Sequence, residues 1–381
     1  MPDRRTVRTW AEIDLDALAH NYRLLRGLAP EAKFLGLVKA NAYGHGAVPV
    51  AKKLESLGAD MLAVACLDEA IELRQAGIAL PILCLGQTPP ELAGELLEYD
   101  VTQTVGDLVT GEALSAAAVA AGKTLKIHVK VDTGMGRLGF VWGEDGEAAL
   151  EGAAMDIDAL CALPGLEAEG IFTHFADADG SEAYTRTQMN RFEGVYGKLR
   201  DQGVDFKIYH CAASAAVLNY PWMSVDMIRP GIALYGYCPA PGMDNPGLKP
   251  VMTVKSRIAV VRTLPAGSFI SYGRTATLHQ ISRLAVVPIG YGDGYPRALS
   301  NEMDMLIRGI PCPIVGRICM DMCMVDVTGL EDVQPGEVAT VYGPKLTQRA
   351  AKLAGTIPYE LLCQITPRIP RIYLEGGTEI L

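Results

Sequence analysis

The sequence predicts an α/β chain of two domains: an N-terminal TIM-like (β/α)8 barrel over residues 1–238 and a mostly-β C-terminal domain over residues 239–381. Two observations carry this. Up to about residue 235, short apolar runs alternate with longer segments of three-to-four periodicity, the pattern of parallel strands joined by helical crossovers. Beyond a turn-rich connector, Pro239-Ala240-Pro241-Gly242-Met243-Asp244-Asn245-Pro246-Gly247, apolar runs follow one another with Gly and Pro between them and few helical segments.

Strands are expected at 10–15, 34–39, 61–66, 82–86, 101–105, 125–132, 170–174, 207–210 and 226–229. About eight strand–helix units suit a closed barrel, with an open doubly wound sheet as the alternative. The runs leave one strand over, so the first lies outside the barrel or belongs to the second domain. Leu18, Tyr22, Leu25 and Leu28 form the apolar stripe of a helix over 16–28, and Met189, Phe192, Tyr196 and Leu199 that of another over 185–199. In the second domain strands are expected at 251–264, 284–289, 303–307, 313–316, 323–327 and 338–342, and helices near 348–353 and 359–363.

Composition excludes several classes. The formal charge of −10 argues against a nucleic-acid surface, which needs a basic stripe. The charged start Met1-Pro2-Asp3-Arg4-Arg5 has no apolar run after it, against a signal peptide. No stretch approaches the ~20 apolar residues of a membrane span. Nine scattered cysteines do not read as a disulfide framework, so a reduced, cytoplasmic chain is expected. Cys319 and Cys323 lack two further ligands at suitable spacing, and no metal is expected.

Lys39 ends the apolar run Phe34-Leu35-Gly36-Leu37-Val38 and precedes a polar, glycine-bearing turn. The C-terminal end of a barrel strand is where barrel enzymes place their chemistry. Desolvation there would favour a nucleophilic amine, although a lysine snorkelling from a strand end fits as well. Lys126, His128, Lys130 and Asp132 share one face of a strictly alternating strand, with Ile127, Val129 and Val131 on the other. In a barrel the charged face points inward and implies a paired network, whereas on an edge strand it would face water. Gly134-Met135-Gly136-Arg137-Leu138-Gly139 matches a dinucleotide fingerprint, but Phe140-Val141-Trp142-Gly143 does not continue as the helix which that motif must open. Ser214, at the start of a helical segment, and Gly231, in the last barrel loop, suit a phosphate. Tyr272 and Tyr291 lie among glycines in loops of the second domain.

Together these segments resemble the bacterial PLP-dependent alanine racemases along essentially the whole chain. The resemblance rests on seven motifs in order: Val38-Lys39-Ala40-Asn41-Ala42-Tyr43-Gly44-His45-Gly46, Asp132-Thr133-Gly134-Met135-Gly136-Arg137, Thr173-His174-Phe175, Arg229-Pro230-Gly231-Ile232, Ser271-Tyr272-Gly273, Gly290-Tyr291-Gly292-Asp293-Gly294 and Gly316-Arg317-Ile318-Cys319-Met320-Asp321. It implies that Lys39 carries pyridoxal 5'-phosphate as a Schiff base and acts as one base. Tyr272 of a partner chain would be the opposite base, so a homodimer is expected. It further implies that Arg229 contacts the pyridine nitrogen and that His174 links Arg229 toward Tyr272. Arg137 would bind the cofactor phenolate and the substrate carboxylate, oriented by a carbamylated Lys130. Tyr43, Ser214, Gly231 and Ile232 would hold phosphate. Met320 and Asp321 would line the site from the partner, with Tyr291 and Arg297 on the entry path. The function implied is interconversion of L- and D-alanine, supplying D-alanine for cell-wall synthesis.

Two positions depart from the family pattern: Ala213, where Asn is usual, and Pro367, where Tyr is usual. They open space beside the substrate Cβ and suggest a serine or broader small-amino-acid racemase as an alternative. A related PLP decarboxylase and a non-catalytic PLP-binding protein are the other readings, and Tyr272 with the complete second domain argues against both.

Overall fold

The computed structural model describes residues 7–142 and 147–380, so the charged segment Met1–Arg5 and Gly143 of the reading above lie outside the described residues. The chain divides into two compact units. One comprises Ala19–Ala42 and Ala47–Leu248, the other Met1–Leu18, Tyr43–Gly46 and Lys249–Leu381.

The first unit is a nearly closed parallel barrel. Its eight strands are Lys33–Leu37, Met61–Val64, Ile82–Cys84, Val101–Val105, Leu125–Asp132, Leu166–Phe172, Ile208–His210 and Met227–Ile228, and the last pairs back onto the first. Closure between the seventh and eighth is thin: Arg229 N donates to Ala212 O at 2.9 Å, beside a single bridge from Ala213 to Arg229. The strands are short and nearly continuous in apolar residues because helices cover their outer face. Val101–Val105 and Met61–Val64 are buried along their whole length. Crossover helices such as Leu108–Ala120 and Glu182–Asp201 begin on N-cap side chains, Asp107 accepting from Thr110 N and Ser181 from Tyr184 N. The Gly134–Gly139 segment leads into a two-residue strand, Phe140–Val141, paired in parallel with Val131 and Asp132, and not into a helix.

The second unit is built on β-sheets. A seven-stranded sheet runs Ile310–Pro313, Asp304–Ile307, Val338–Tyr342, Met252–Arg257, Thr9–Asp14, Arg371–Glu375, Thr378–Glu379. The leftover N-terminal strand therefore lies outside the barrel, antiparallel to Met252–Ser256 and parallel to Arg371–Leu374. Smaller sheets are Val260–Leu264 with Ser282–Val287 and Cys323–Asp326, and Phe269–Ile270 with Ala276–Thr277. The run 251–264 is two strands and not one, the chain changing sheet at Ile258 and Ala259.

Candidate active site

At the C-terminal end of the first barrel strand the chain makes an uncommon turn. Ala40, Asn41, Ala42 and Tyr43 have φ of 51°, 53°, 53° and 53°, one turn of left-handed helix directly after Lys39. For L-residues this conformation costs roughly 1–2 kcal/mol each, so neighbouring groups must hold it. Glu69 does so with both carboxylate oxygens: Oε1 accepts from Ala40 N at 2.6 Å and Oε2 from Ala65 N at 2.8 Å. Asn41 Oδ1 accepts from Ala47 N at 2.7 Å. The half-buried Lys39 is thus fixed to two adjacent strand ends. The polar, glycine-bearing turn expected here is a strained one, and Ala40 and Ala42 gave no sign of it.

The alternating strand Leu125–Asp132 turns its charged face inward. His128, Lys130 and Asp132 are buried, while Lys126, at the strand's entry, faces solvent. The exposed-edge reading is therefore excluded. Asp132 organises the loop that follows: Oδ1 accepts from the amides of Gly134, Met135 and Gly136, and Oδ2 from Arg137 N. Burial raises the Asp132 carboxyl, but these four amides outweigh it and hold its pKa below the usual value. Lys130 Nζ donates to Val131 O at 2.8 Å and lies 5.4 Å from the centre of the Phe172 ring. Burial, reinforced by Arg229 and Arg137, pulls its pKa down to about 7 despite the opposing charge of Asp132.

Arg229 is the hub. It is 2 % exposed. Nη1 donates to His210 Nδ1 at 2.9 Å; Nη2 donates to Thr173 O at 2.8 Å and Cys211 O at 3.0 Å and reaches His174 Nδ1 at 3.4 Å. Guanidinium only donates, so His210 Nδ1 is an acceptor and its proton sits on Nε2. That Nε2 is 2.9 Å from His128 Nδ1, which must accept in turn. The His128 Nε2–H then faces Glu169 Oε2 at 3.8 Å, too long for a hydrogen bond. Both ring protons are thus pointed along one buried row away from Arg229. Burial first, and Arg229 second, pushes the pKa of His210 and of His174 well below the ordinary histidine value. For His174 the further contributors are Arg137, Lys130 and Lys39, which places four cationic side chains around one neutral imidazole. By the same logic the remaining proton of His174 is on Nε2.

Ser214 Oγ ties the last barrel loops together, accepting from Gly231 N at 2.9 Å and Ala233 N at 3.3 Å. A buried guanidinium, a serine hydroxyl in the last barrel loops and surrounding cations form a donor set for an anionic ligand with an aromatic nitrogen acceptor. Pyridoxal phosphate fits it: Arg229 would meet the ring nitrogen, and Ser214, Gly231 and Ile232 the phosphate. Tyr43, the last residue of the left-handed turn, belongs to the second unit, where its ring centre is 6.1 Å from that of Tyr359 and burial raises its phenol pKa.

The second unit holds the other expected residues. Tyr272 is 69 % exposed on the turn after Phe269–Ile270. Tyr291 N donates to Cys319 O at 3.1 Å and Gly292 N to Met320 O at 2.9 Å, which pins the Tyr291 turn to the Met320 loop. Gly290 is required there, since a Cβ would meet Cys319 O at 2.2 Å. Tyr291, Met320 and Arg297 are exposed, and Asp321 pairs with Arg368 at 2.8 Å. Pro367, beside Arg368, is exposed; Ala213, in the barrel, is half-buried at the bridge to Arg229. A groove of about 520 Å³ runs past Tyr272, lined by Phe269, Leu284, Met322 and Met324 among others. His210, absent from the expected residues, is the addition the structure makes. Its only sequence signal was a polar residue closing an apolar strand run.

A nearly closed parallel barrel with a lysine, cations and neutral histidines at the C-terminal ends of its strands defines a barrel enzyme of the cofactor-lysine type. The chain matches the alanine racemase N-terminal domain over residues 13–239 and the alanine racemase C-terminal domain over residues 251–373. It is 44 % identical over 371 residues to the alanine racemase of Desulforamulus reducens, covering 96 % of this chain and 98 % of that one. The alanine racemase structure from Clostridium difficile 630 superimposes with a TM-score of 0.94 at 40 % identity, over 99 % of this chain and 98 % of that one. The Bacillus anthracis alanine racemase structure with bound L-Ala-P gives a TM-score of 0.89 at 36 % identity, over 98 % and 97 %. This chain belongs to the alanine racemase family, which is PLP-dependent.

Proposed function

We propose that this chain interconverts L- and D-alanine by a two-base reaction in which Lys39 works on one face of the substrate and Tyr272 of a partner subunit on the other. The observation that carries the reading is Lys39 itself, fixed on a left-handed turn among Lys130, Arg137, His174 and Arg229. Bound pyridoxal phosphate supplies the electron withdrawal that makes the substrate α-hydrogen acidic. The rest is work for side chains. Arg137 neutralises the substrate carboxylate. Arg229 would meet the ring nitrogen and, as a guanidinium that only donates hydrogen bonds, would favour the unprotonated nitrogen. Ser214, Gly231, Ile232 and Tyr43 hold the phosphate. Racemisation needs the α-proton to leave one face and return on the other, so Lys39 Nζ and the Tyr272 phenol oxygen alternate as acceptor and donor. The Nε2–H of His174 would stabilise the Tyr272 phenolate.

In this reading residues 1–238 are the PLP-binding domain, and residues 239–381 supply Tyr272, Met320, Asp321 and Tyr291 to the partner of a homodimer. The physiological role is D-alanine supply for cell-wall synthesis in the cytoplasm. Among the described residues no helix is long and apolar enough to cross a membrane. The test is incubation of L-alanine in deuterated water with wild type, K39A and Y272F. Wild type should place deuterium at Cα in both enantiomers, and each variant should lose racemisation. Carbon dioxide release would point to a decarboxylase, and no turnover by wild type to a binding protein.

A further inference from the structure

Tyr272 sits on a strained turn. Ser271 has φ 65° and ψ −173°, a region occupied almost solely by glycine. Gly273 follows at φ 70° and Arg274 at φ 50°. A serine in that conformation is strained and persists only where its surroundings over-determine it. Tyr272 makes no hydrogen bond from its phenol within the described chain, so its direction comes from the backbone alone.

The surroundings are specific. Ser271 Oγ donates to Arg317 O at 2.6 Å and lies 3.5 Å from Cys319 Sγ. Gly316 lets that segment come close, since a Cβ there would stand 2.8 Å from Ile270 O and 2.9 Å from Ser271 Cβ. At the far end of the turn Asn301 bridges the same two segments: Oδ1 accepts from Gly316 N at 2.6 Å and Nδ2 donates to Thr275 Oγ1 at 3.3 Å. The loop beginning Gly316-Arg317 therefore grips the turn before and after Tyr272.

We propose that Ser271 is a positioning residue for Tyr272: its hydroxyl, bonded to the Arg317 carbonyl, holds the strained backbone that aims the phenol. This rests on the reading of Tyr272 as one of the two bases. S271A removes the bond and keeps the strain-bearing Cβ. S271G removes both. In the PLP-loaded enzyme each variant should lower kcat by roughly 10–100-fold with KM changed little, the scale of a misplaced reacting group. S271G should melt no lower than wild type, because its strain is gone.

The decisive reading is the α-deuterium isotope effect measured separately on L- and D-alanine. It should rise for the enantiomer whose proton Tyr272 removes and not for the other, which general loosening of the fold would not produce. Variants within twofold of wild-type kcat, or isotope effects that move equally for both enantiomers, overturn the proposal while Y272F remains inactive. Racemisation by Y272F at the wild-type rate overturns the assignment of Tyr272 as a base, and the positioning role with it.

Discussion

Lys130 is the residue whose chemistry depends most on its surroundings. With its pKa near 7, a large share of the amine is neutral at physiological pH, and a neutral amine is the form that attacks carbon dioxide. The protein equilibrated with ¹³C-bicarbonate should show a lysine carbamate signal by NMR that grows as pH rises through about 7 and is absent in K130A. A missing signal in wild type at pH 8 would leave Lys130 a plain amine. Ala213 and Pro367 are the two positions at which the resemblance to the family is expected to break. If they open space beside Cβ, serine should turn over at a rate within about tenfold of alanine, a barrier difference of no more than ~1.4 kcal/mol. A strong preference for alanine would remove the broader-racemase reading, and A213N should narrow the range if it is right.

The next scale is the turn and the strand end. Gly44 follows the left-handed turn with φ 81°, and a Cβ there would stand 2.1 Å from Leu362 O. Backbone cannot retreat as a flexible side chain does. G44A should therefore destabilise by several kcal/mol, more than the ~1 kcal/mol of an ordinary mutation, read as a lowered Tm or loss of soluble protein. A Tm unchanged within a degree would mean that the 362 segment yields. What the sequence disclosed at this scale follows the range of the interaction. The barrel strands were legible because each is a short apolar run between amphipathic helices. The inward face of 125–132 was legible because alternation is a local property. The conformation of residues 40–43 was not, since two alanines carry no preference for positive φ and the turn is enforced by Glu69 and Asn41. His210 was not recognised because its partner His128 is 82 positions away. The strand Arg371–Glu375 was missed because its partner in the sheet is the N-terminal strand.

For the whole molecule, the buried imidazoles set a pH dependence. His128, His174 and His210 all have folded pKa values below the ordinary 6.5. The folded chain keeps them neutral while the unfolded chain protonates them, so the unfolded state binds more protons below pH 6.5 and stability falls as pH falls there. Lys130 acts in the same sense between about 7 and 10.5, where only the unfolded chain holds its proton. Urea midpoints should thus decline from pH 7 to pH 5, and H210Q should flatten that slope by up to ~1.4 kcal/mol per pH unit. A flat wild-type profile would contradict it. The proposed sharing of sites between subunits gives the other test at this scale. K39A and Y272F, each inactive alone, should regain activity when unfolded and refolded together. Random pairing yields about a quarter of wild-type activity, because a mixed dimer holds one intact site. No recovery in confirmed mixed dimers would place Tyr272 in the same chain as the Lys39 it faces.

The strand Thr9–Asp14 is made well before both of its neighbours in the sheet, Met252–Arg257 and Arg371–Glu375. At a synthesis rate of ~5–20 residues per second, it waits roughly 10–50 s for its first neighbour and longer for its second. During that interval Trp10 and Ile13, both buried at the end, are exposed to whatever binds apolar nascent chain. Translation rate and chaperone supply therefore bear on the yield of this protein through this one strand, although the barrel sequence that follows can begin folding without it.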